Sequence, residues 1–358
     1  MLVLSAGMVP AALAQHGPPV PEMPRESAGG ARPAREAARE VQRPAPREAA
    51  RGERPAEVRA ERDTPPPTDL APSDTPAPES SMWPRINASL SLDAAHAFEA
   101  DFDNAPGSVA VSRFSGELDV SIALDERQAF IVSLSSEYAA YDFSDATGFV
   151  SGTSEPWDDV LEQMLSLTYR RRVSEQWSVL GGLSVRSSAE TGADFSESLT
   201  YSARAGAVYA LNEKTRLGLV VVVDTRLEDN AMFFAFPVID WQFAERWSLR
   251  TSGSSRGARL TLGYQATEQL ELGLGVGVLG REFRLDDSGP VPDGVARDLG
   301  VPVVLTARWT PTKQVTVSAQ AGAFVYRNLE LKDANGDKIT DLDADISPFV
   351  GVGVSFDF

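Results

Sequence analysis

The stretch that decides the fold is VGVGVSFDF, which runs from Val350 to Phe358. Its side chains divide between the two faces of a predicted strand, with Val350, Val352, Val354, Phe356 and Phe358 on one face and Gly351, Gly353, Ser355 and Asp357 on the other. In a soluble sheet the apolar face packs on a core, and the chain normally continues into polar residues. An apolar face that reaches the final residue indicates an apolar environment outside the protein, or another protein that binds this end.

The same alternation recurs through most of the chain from Met82 onward. Apolar side chains occupy every second position in the stretches 199–211, 217–223, 270–278, 301–309 and 315–321. The positions between them carry glycine, hydroxyl groups, arginines and acids. A repeat of two residues is typical of β-strands, whereas an amphipathic helix repeats about every 3.6 residues.

Two kinds of connection separate these strands. Short polar turns recur at 125–127, 174–176, 212–214, 244–246, 267–269 and 311–313, and longer acidic or glycine-rich connections alternate with them. Most short turns have an aromatic residue beside them, and we interpret these residues as an aromatic girdle: Phe130, Tyr169, Trp177, Tyr209, Trp241, Trp247, Tyr264 and Trp309. One end of the sheet therefore has short turns and aromatic rings, and the other end has long loops.

These features together predict an all-β fold, namely a transmembrane antiparallel up-and-down β-barrel. A sheet in lipid must close on itself, because each unpaired backbone group there costs several kcal/mol. Tyrosine and tryptophan are enriched where a membrane meets water, which explains an aromatic ring at one level. The rival fold is a large soluble β-sandwich, which must cover its apolar face and rarely sorts its connections by length.

The alternating stretches predict fourteen strands, near 86–99, 109–124, 128–142, 160–173, 177–187, 197–211, 215–226, 233–243, 247–252, 258–266, 270–284, 299–309, 315–329 and 343–358. The weakest part is 247–266, where each strand barely reaches the length of about 9–11 residues that a span needs. If that hairpin does not cross the membrane, the alternative is a twelve-stranded barrel.

The carboxyl-terminal alternation ending in phenylalanine resembles the signal by which the bacterial assembly machinery recognises outer-membrane barrels. Val354, Phe356 and Phe358, at the carboxyl terminus, carry that resemblance. More broadly, residues 82–358 resemble the uncharacterised outer-membrane barrel families classed as domains of unknown function. The resemblance implies a bacterial outer membrane of the Gram-negative type as the location, with outer-membrane lipid, lipopolysaccharide and the assembly machinery as partners.

The amino-terminal part has a different composition. Residues 1–15 are apolar and end near Ala12-Leu13-Ala14, which is typical of a signal-peptide cleavage site, although a basic start is lacking. Residues 16–81 are rich in proline, alanine, arginine and glutamate, and they contain too few large apolar side chains to form a core. We expect a disordered linker there, acting as a tether or a spacer, followed by the barrel domain at 82–358.

Composition narrows the possible chemistry. The sequence contains no cysteine, which excludes disulfides and thiolate catalysis. It contains only two histidines, which nearly excludes a histidine-based metal site. The formal net charge of −18 disfavours nucleic acid, whose recognition needs a basic surface. The sequence contains no continuous stretch of about 18 apolar residues, so it predicts no transmembrane helix.

The inner face of the predicted barrel is charged. We expect the following residues to line the lumen: Glu117, Asp119, Glu137, Glu162, Arg170, Arg186, Arg204, Arg216, Asp224, Arg226, Asp240, Arg250, Arg259, Glu271, Arg281 and Arg308. Such a wall is typical of a water-filled porin that passes small polar solutes. It is equally compatible with a salt-bridge network that fills the barrel, in which case the protein is structural or adhesive and its acidic loops bind ions, lipopolysaccharide or partners.

A weak metal site is suggested by the stretch DANGDKITDLDAD, in which Asp333, Asn335, Asp337 and Asp341 offer oxygen ligands. It lacks the glycine and the glutamate that a calcium loop requires, because Lys338 and Ala344 stand at those positions. The alternative is a hairpin with a type I′ turn at Asn335-Gly336. We therefore expect no cofactor, with a divalent cation as the weaker possibility.

Two further functions are considered. A rim-located lipid hydrolase needs serine, histidine and an acid, but His96 is the barrel's sole histidine and no serine is assignable to it from spacing. An autotransporter-like translocator fits the barrel's length, but residues 16–81 make a poor passenger. The sequence therefore predicts a barrel that is not an enzyme, and it leaves the oligomeric state open.

Overall fold

The computed structural model describes residues 84–150, 152–254 and 256–358. The predicted signal peptide at 1–15, the predicted linker at 16–81 and the first two residues of the predicted barrel domain lie outside these ranges.

The described chain is almost entirely β-structure. Its strands are β1 (Arg85–Asp101), β2 (Ser108–Ala123), β3 (Gln128–Ser144), β4 (Asp159–Arg172), β5 (Trp177–Glu190), β6 (Leu199–Asn212), β7 (Thr215–Arg226), β8 (Asp229–Trp241), β9 (Trp247–Ser254), β10 (Gly257–Gln265), β11 (Leu270–Arg284), β12 (Val295–Trp309), β13 (Val315–Lys332), β14 (Lys338–Ala344) and β15 (Ser347–Asp357). A single 3-10 turn, Ser196–Ser198, precedes β6. Among the described residues, no helix is long and apolar enough to cross a membrane.

The sheet closes on itself. Each strand from β1 to β13 pairs antiparallel with the next in sequence, and β15 pairs with both β1 and β13. β14 pairs with β13 beyond the end of β15, so the fifteen strands occupy fourteen positions around a barrel. The predicted fourteen-stranded antiparallel barrel is confirmed, and the twelve-stranded alternative is wrong because the 247–266 hairpin does form β9 and β10.

The outer surface is an apolar belt. Large side chains at alternate strand positions point away from the protein, including Leu183 at 66%, Leu305 at 61% and Val352 at 62% exposure. In the carboxyl-terminal strand, Val350 and Val352 lie on this belt, while Gly351 and Phe349 are buried on the other face. Because the sheet closes through β15, its first and last strands leave no free edge in hydrocarbon, which is the condition for crossing a bilayer.

Aromatic rings mark the short-turn end of the barrel. The predicted girdle residues meet as cross-strand pairs, with ring centroids 5.1 Å apart for Phe130–Tyr169, 4.9 Å for Trp177–Tyr209 and 4.8 Å for Trp247–Tyr264. Trp241 and Trp309 are 43% and 50% exposed at the same end. Two tyrosine hydroxyls donate to glutamines of the adjacent turns, so each ring has an apolar body and a polar tip.

Several strands extend further toward the loop end than the sequence predicts. β5 continues to Glu190, β12 begins at Val295, and β13 continues to Lys332. In β13 the extension was not predicted because its inner positions, Leu329 and Leu331, are apolar, so the alternation of apolar and polar residues fades there. β8 also begins nearer the loops than predicted and ends two residues earlier, since it spans Asp229–Trp241 where 233–243 is predicted.

A pair of adjacent substitutions tests which side chains face lipid. Leu305→Arg is expected to destabilise the barrel by roughly 2–4 kcal/mol, because it places a charge in the apolar belt. Thr306→Arg, on the inner face between Gly273 and Gln320, is the matched control and should cost much less. Urea titration of the refolded protein in lipid vesicles measures both, and equal losses would contradict the assigned faces.

From alternation we expect an arginine at Val221 to be costly on the lipid face and one at Val220, on the inner face, to be milder. Val220 does face inward, but its side chain is fully buried in an apolar patch. Because a buried unpaired charge is strongly destabilising, Val220 is not a suitable control, and Thr306 is used in its place.

Candidate functional site: the lumen

The strand register gathers charged side chains on the inner face. Residues that pair across neighbouring strands share a face, and they alternate with the exposed apolar belt. Fifteen of the predicted residues lie there: Glu117, Asp119, Glu137, Glu162, Arg170, Arg186, Arg204, Arg216, Asp224, Asp240, Arg250, Arg259, Glu271, Arg281 and Arg308. Arg226 lies past a bulge at the loop end of β7, where it pairs with Glu282 and Asp229.

Glu137 forms ion pairs with arginines from other parts of the barrel wall. On β3, its carboxylate accepts from Arg281 Nε of β11 at 2.8 Å and from Arg256 Nη1 of the β9–β10 turn at 3.2 Å. Arg256 Nε also lies 3.3 Å from Glu162 Oε1 of β4. We call these four residues the Glu137 cluster. Because β3 and β11 lie on nearly opposite sides of the strand order, this cluster crosses the lumen.

A second charged group, the Asp298 cluster, lies beside the first. Asp298 of β12 accepts from Arg113 Nη2 at 2.8 Å, from Arg327 Nε at 3.0 Å and from the hydroxyl of Tyr141 at 3.1 Å. Arg327 is 1% exposed and Asp298 is 4% exposed. The cluster ties β2, β3, β12 and β13 together in a place without solvent, where an ion pair persists only if its hydrogen bonds are satisfied.

Sequence reasoning missed most of the Asp298 cluster. Asp298 precedes the predicted start of β12 and was therefore read as loop. Arg327 was missed because β13 carries an extra residue near Val325, where the register with β12 shifts between Val301 and Pro302. A bulge reverses the alternation, so strict counting places Arg327 on the lipid face. Pro302 in a predicted strand was the available signal, because proline within a sheet favours bulges and edges.

The loop end of the lumen is filled by an apolar core, which we call the mouth core. Its residues come from the inner faces of the long strands and from the 145–157 loop: Phe102, Val109, Val111, Tyr141, Phe143, Phe149, Trp157, Phe283, Leu285, Leu329 and Leu331. Trp157 packs against Phe143 with ring centroids 4.8 Å apart and against Phe283 at 5.8 Å. The inner face that we expected to be charged is therefore apolar at this end.

β11 leaves the plain barrel geometry above the mouth core. Besides β10 and β12 it pairs parallel with β5, where Arg284 meets Ala189. The Arg284 guanidinium donates to the carbonyl oxygens of Asp293 at 2.6 Å and Glu197 at 3.2 Å, which fixes β11 to the loops around it. Since β5 and β11 belong to different walls, this contact links two sides of the barrel at its loop end.

Below the two clusters the inner wall mixes small polar residues with charged ones such as Arg250 and Glu271. Its positions toward the short turns carry serine, threonine and glycine, for example Ser318, Thr306 and Gly273. A cavity of about 220 Å³ lies at the level of the clusters, lined by Asp93, Arg259 and Gln320 together with Phe324 and Phe349. We call the part of the lumen between the two clusters and the short turns the polar well.

The acidic stretch suggested as a metal site forms a hairpin between β13 and β14. Asp333 Oδ1 accepts the backbone N–H of Asn335 and of Asp337, both at 2.9 Å, and these donors hold the pKa of Asp333 below its usual range. Asp341 accepts from Lys338 Nζ at 2.9 Å. Within the described residues, no cluster of three or more acidic or histidine side chains could hold a metal ion.

The turn of this hairpin is not type I′. Gly336 has φ of 84°, but Asn335 is absent from the described residues with positive φ. The Gly336 N–H donates to Asp333 O at 3.0 Å, and the Asp333 N–H donates to Asp337 O at 3.0 Å. A type I turn followed by a left-handed glycine gives this pattern, so the predicted hairpin exists with a different turn.

His96 lies near the loop end on the lipid side of β1. Its Nδ1 is 3.0 Å from Ser112 Oγ of β2, and its ring contacts Phe98 edge-on at 4.9 Å. Asp93 is on the opposite, inner face, so it does not orient the imidazole. Among the described contacts no carboxylate reaches the ring, and a serine–histidine pair alone lacks the orienting group of a hydrolase triad.

Comparison with known proteins gives one family and several remote structural neighbours. Residues 98–357 match the family described as Domain of unknown function (DUF6268). No curated protein matches the sequence. Among solved structures, an outer membrane channel (COG4313) from Pseudomonas putida F1 is 13% identical, with 79% of this chain and 99% of that chain covered and a TM-score of 0.44.

Two further structures are similar at the level of the fold. The P. putida toluene transporter TodX is 8% identical, with 76% of this chain and 89% of that chain covered and a TM-score of 0.39. The porin NanC is 10% identical, with 74% and 98% covered and a TM-score of 0.32. These scores are too low to say anything more about this chain. Its own closed sheet and apolar belt identify a bacterial outer-membrane barrel, which confirms the predicted location.

Proposed function

The chain belongs to the DUF6268 family, and we propose that it is a gated outer-membrane channel that passes small polar solutes through its charged lumen. The Glu137 cluster is the observation that carries the proposal. Arg281 and Arg256 reach Glu137 from other parts of the wall and close the well by charge, with ion pairs of 2.8 and 3.2 Å.

Buried ion pairs are not expected in a lumen that stays permanently closed. Buried ion pairs are often no more stable than apolar side chains of similar volume, so stability alone does not favour arginines and carboxylates at this level. The charged side chains of an ion-paired closure can bind water and solute in place of one another, whereas the side chains of an apolar core cannot. The polar well of small residues beneath it offers such solutes a path toward the short turns.

Planar-bilayer recording tests the proposal. The double variant Glu137→Gln, Arg281→Gln removes the cross-lumen pair without leaving either charge unpaired, and it should open at least several-fold more often than the unmodified protein. The matched control is Arg250→Gln, Glu271→Gln, which changes the same charges in a pair 3.1 Å apart at the short-turn end. This control should gate like the unmodified protein.

The mouth core favours a second candidate, a closed structural or adhesive barrel whose loops bind ions, lipopolysaccharide or other partners. This function predicts silent bilayers for all three proteins. Discrete conductance steps in the unmodified protein or in the cross-lumen variant support the channel. Silence in both, with folding verified by the heat-dependent gel mobility of barrels, would overturn the channel in favour of the structural barrel.

A further inference from the structure

Among the described strands, β8 and β9 are weakly paired neighbours in the barrel wall, and we call the junction between them the seam. These strands form two registered residue pairs, Asp240–Arg250 and Trp241–Leu249, whereas β7 and β8 are paired along most of their length. Immediately above, the hydroxyl of Thr251 replaces the strand ladder by accepting the N–H of Ile239 at 2.9 Å. The next residues of β8 toward the loops, from Val238 upward, form no registered pair with the described part of β9.

Proline marks the same place in the sequence. Pro237 has no N–H and cannot donate to a sheet ladder, so within sheets proline is confined to edges and bulges. It lies at an unbroken register with Leu219 of β7, which leaves the side of β8 toward β9 as the edge. An otherwise closed barrel thus contains an edge about halfway along one strand.

Apolar side chains lie on both faces of β8 at this seam. The outer face presents Phe233, which is 69% exposed to the membrane. The inner face carries Phe234, Phe236 and Val238, which pack with Val220 and Val222 of β7; we call these five residues the inner patch. A separate apolar group, which includes Val304, Phe324 and Phe349, lies elsewhere on the inner wall. The inner patch carries no charged or hydroxyl side chain, so it is suited to a hydrocarbon and not to a hydrated solute.

A cavity of about 70 Å³ passes beside the upper part of the seam. It is lined from the lumen by Arg186, Met232 and Arg281, and also by Val278 and Leu299, whose register positions belong to the outer face of β11 and β12. Its loop-side border is the Arg226–Glu282 ion pair, with N and O atoms 2.7 Å apart.

We propose that the β8–β9 seam is a lateral opening through which an aliphatic chain from the bilayer reaches the inner patch. Exposed Phe233 and the buried patch make one apolar path across the wall, and the missing ladder between Val238 and β9 supplies the gap. The cavity beside the seam shares Arg281 and Arg256 with the Glu137 cluster. The route from Phe233 to the inner patch runs across the wall, so this binding function differs from the passage of polar solutes along the barrel axis.

Photocrosslinking in nanodiscs tests the lateral opening. One sample contains a phosphatidylcholine with a diazirine near the end of its acyl chain, and a second contains a free fatty acid with the same group. Mass spectrometry should find adducts on Phe234, Phe236 or Val222 in at least one sample, and the sample that gives them identifies the source of the chain. Phe324 and Phe349, which are apolar and inward-facing but remote from the seam, should remain unlabelled.

A variant designed to close the seam, which we call the sealing variant, tests whether labelling of the inner patch depends on the seam. Pro237→Val, Thr251→Val supplies the missing donor and frees the Ile239 N–H for the ladder, and it should lower inner-patch labelling about five-fold or more while Phe233 labelling is unchanged. Adducts confined to outward-facing residues in both samples would overturn the proposal. Inner adducts that persist in a folded sealing variant would also overturn it, since the chain would then enter elsewhere.

Discussion

Replacing Asp298 by alanine is expected to lower the free energy of unfolding by about 3–5 kcal/mol, because it leaves two buried guanidinium groups without their shared carboxylate. Arg113 Nη2 and Arg327 Nη2 lie 2.8 and 2.9 Å from the same Asp298 oxygen. Equilibrium urea titration in lipid vesicles, followed by tryptophan fluorescence, measures the loss.

Asp240→Ala is the matched control for this change. Asp240 lies 3.8 Å from the half-exposed Arg250 near the aromatic girdle, and solvent-exposed pairs of this kind contribute about 1 kcal/mol or less. Asp298→Ala should therefore unfold at clearly lower urea than Asp240→Ala. If both variants unfold at the same urea concentration, the Asp298 cluster does not stabilise the barrel as described.

Truncating Phe283 should have an effect of similar size. Phe283 is fully buried in the mouth core, between Tyr141 at 5.7 Å and Trp157 at 5.8 Å between ring centroids. Phe283→Ala should cost about 3–5 kcal/mol through lost burial and the cavity it leaves. Because the mouth core seals the loop end, we also expect more frequent openings in planar bilayers.

Phe233→Ala is the matched control for Phe283→Ala, because it removes an aromatic ring that does not belong to the mouth core. Phe233 is 69% exposed on the lipid face, so its truncation removes few protein contacts and should leave unfolding and gating nearly unchanged. A Phe283→Ala barrel as stable and as rarely open as the Phe233→Ala barrel would show that the mouth core neither stabilises nor closes the lumen.

The fold was predictable because lipid imposes a simple rule on sequence. Every second residue of a spanning strand meets hydrocarbon, and runs such as Val315 to Ala321 carry that requirement without interruption. The paired aromatics at the short turns, such as Trp177 and Tyr209, follow from the boundary between lipid and water in the same way. All fourteen predicted strands correspond to strands in the structure for this reason.

The lumen was less predictable because its packing depends on contacts between distant strands. Alternation says that Glu137 faces inward, but not that Arg281 crosses to meet it from a strand 144 residues away. The mouth core has no periodic pattern, since Phe149 and Trp157 come from a loop. The bulge beside Pro302 reverses the face of Arg327, and Pro237 marks the edge at the seam; both prolines were visible in the sequence but were not used.

Spin-label accessibility along β13 tests the central claim most directly, namely that one closed sheet turns alternate side chains to lipid. The sequence has no cysteine, so single cysteines from Thr316 to Ala321 can each carry a nitroxide. Positions 317, 319 and 321 should be relaxed mainly by oxygen dissolved in the bilayer, and positions 316, 318 and 320 by a water-soluble nickel complex. Accessibility without a period of two, or with nickel reaching both faces equally, would contradict the membrane barrel.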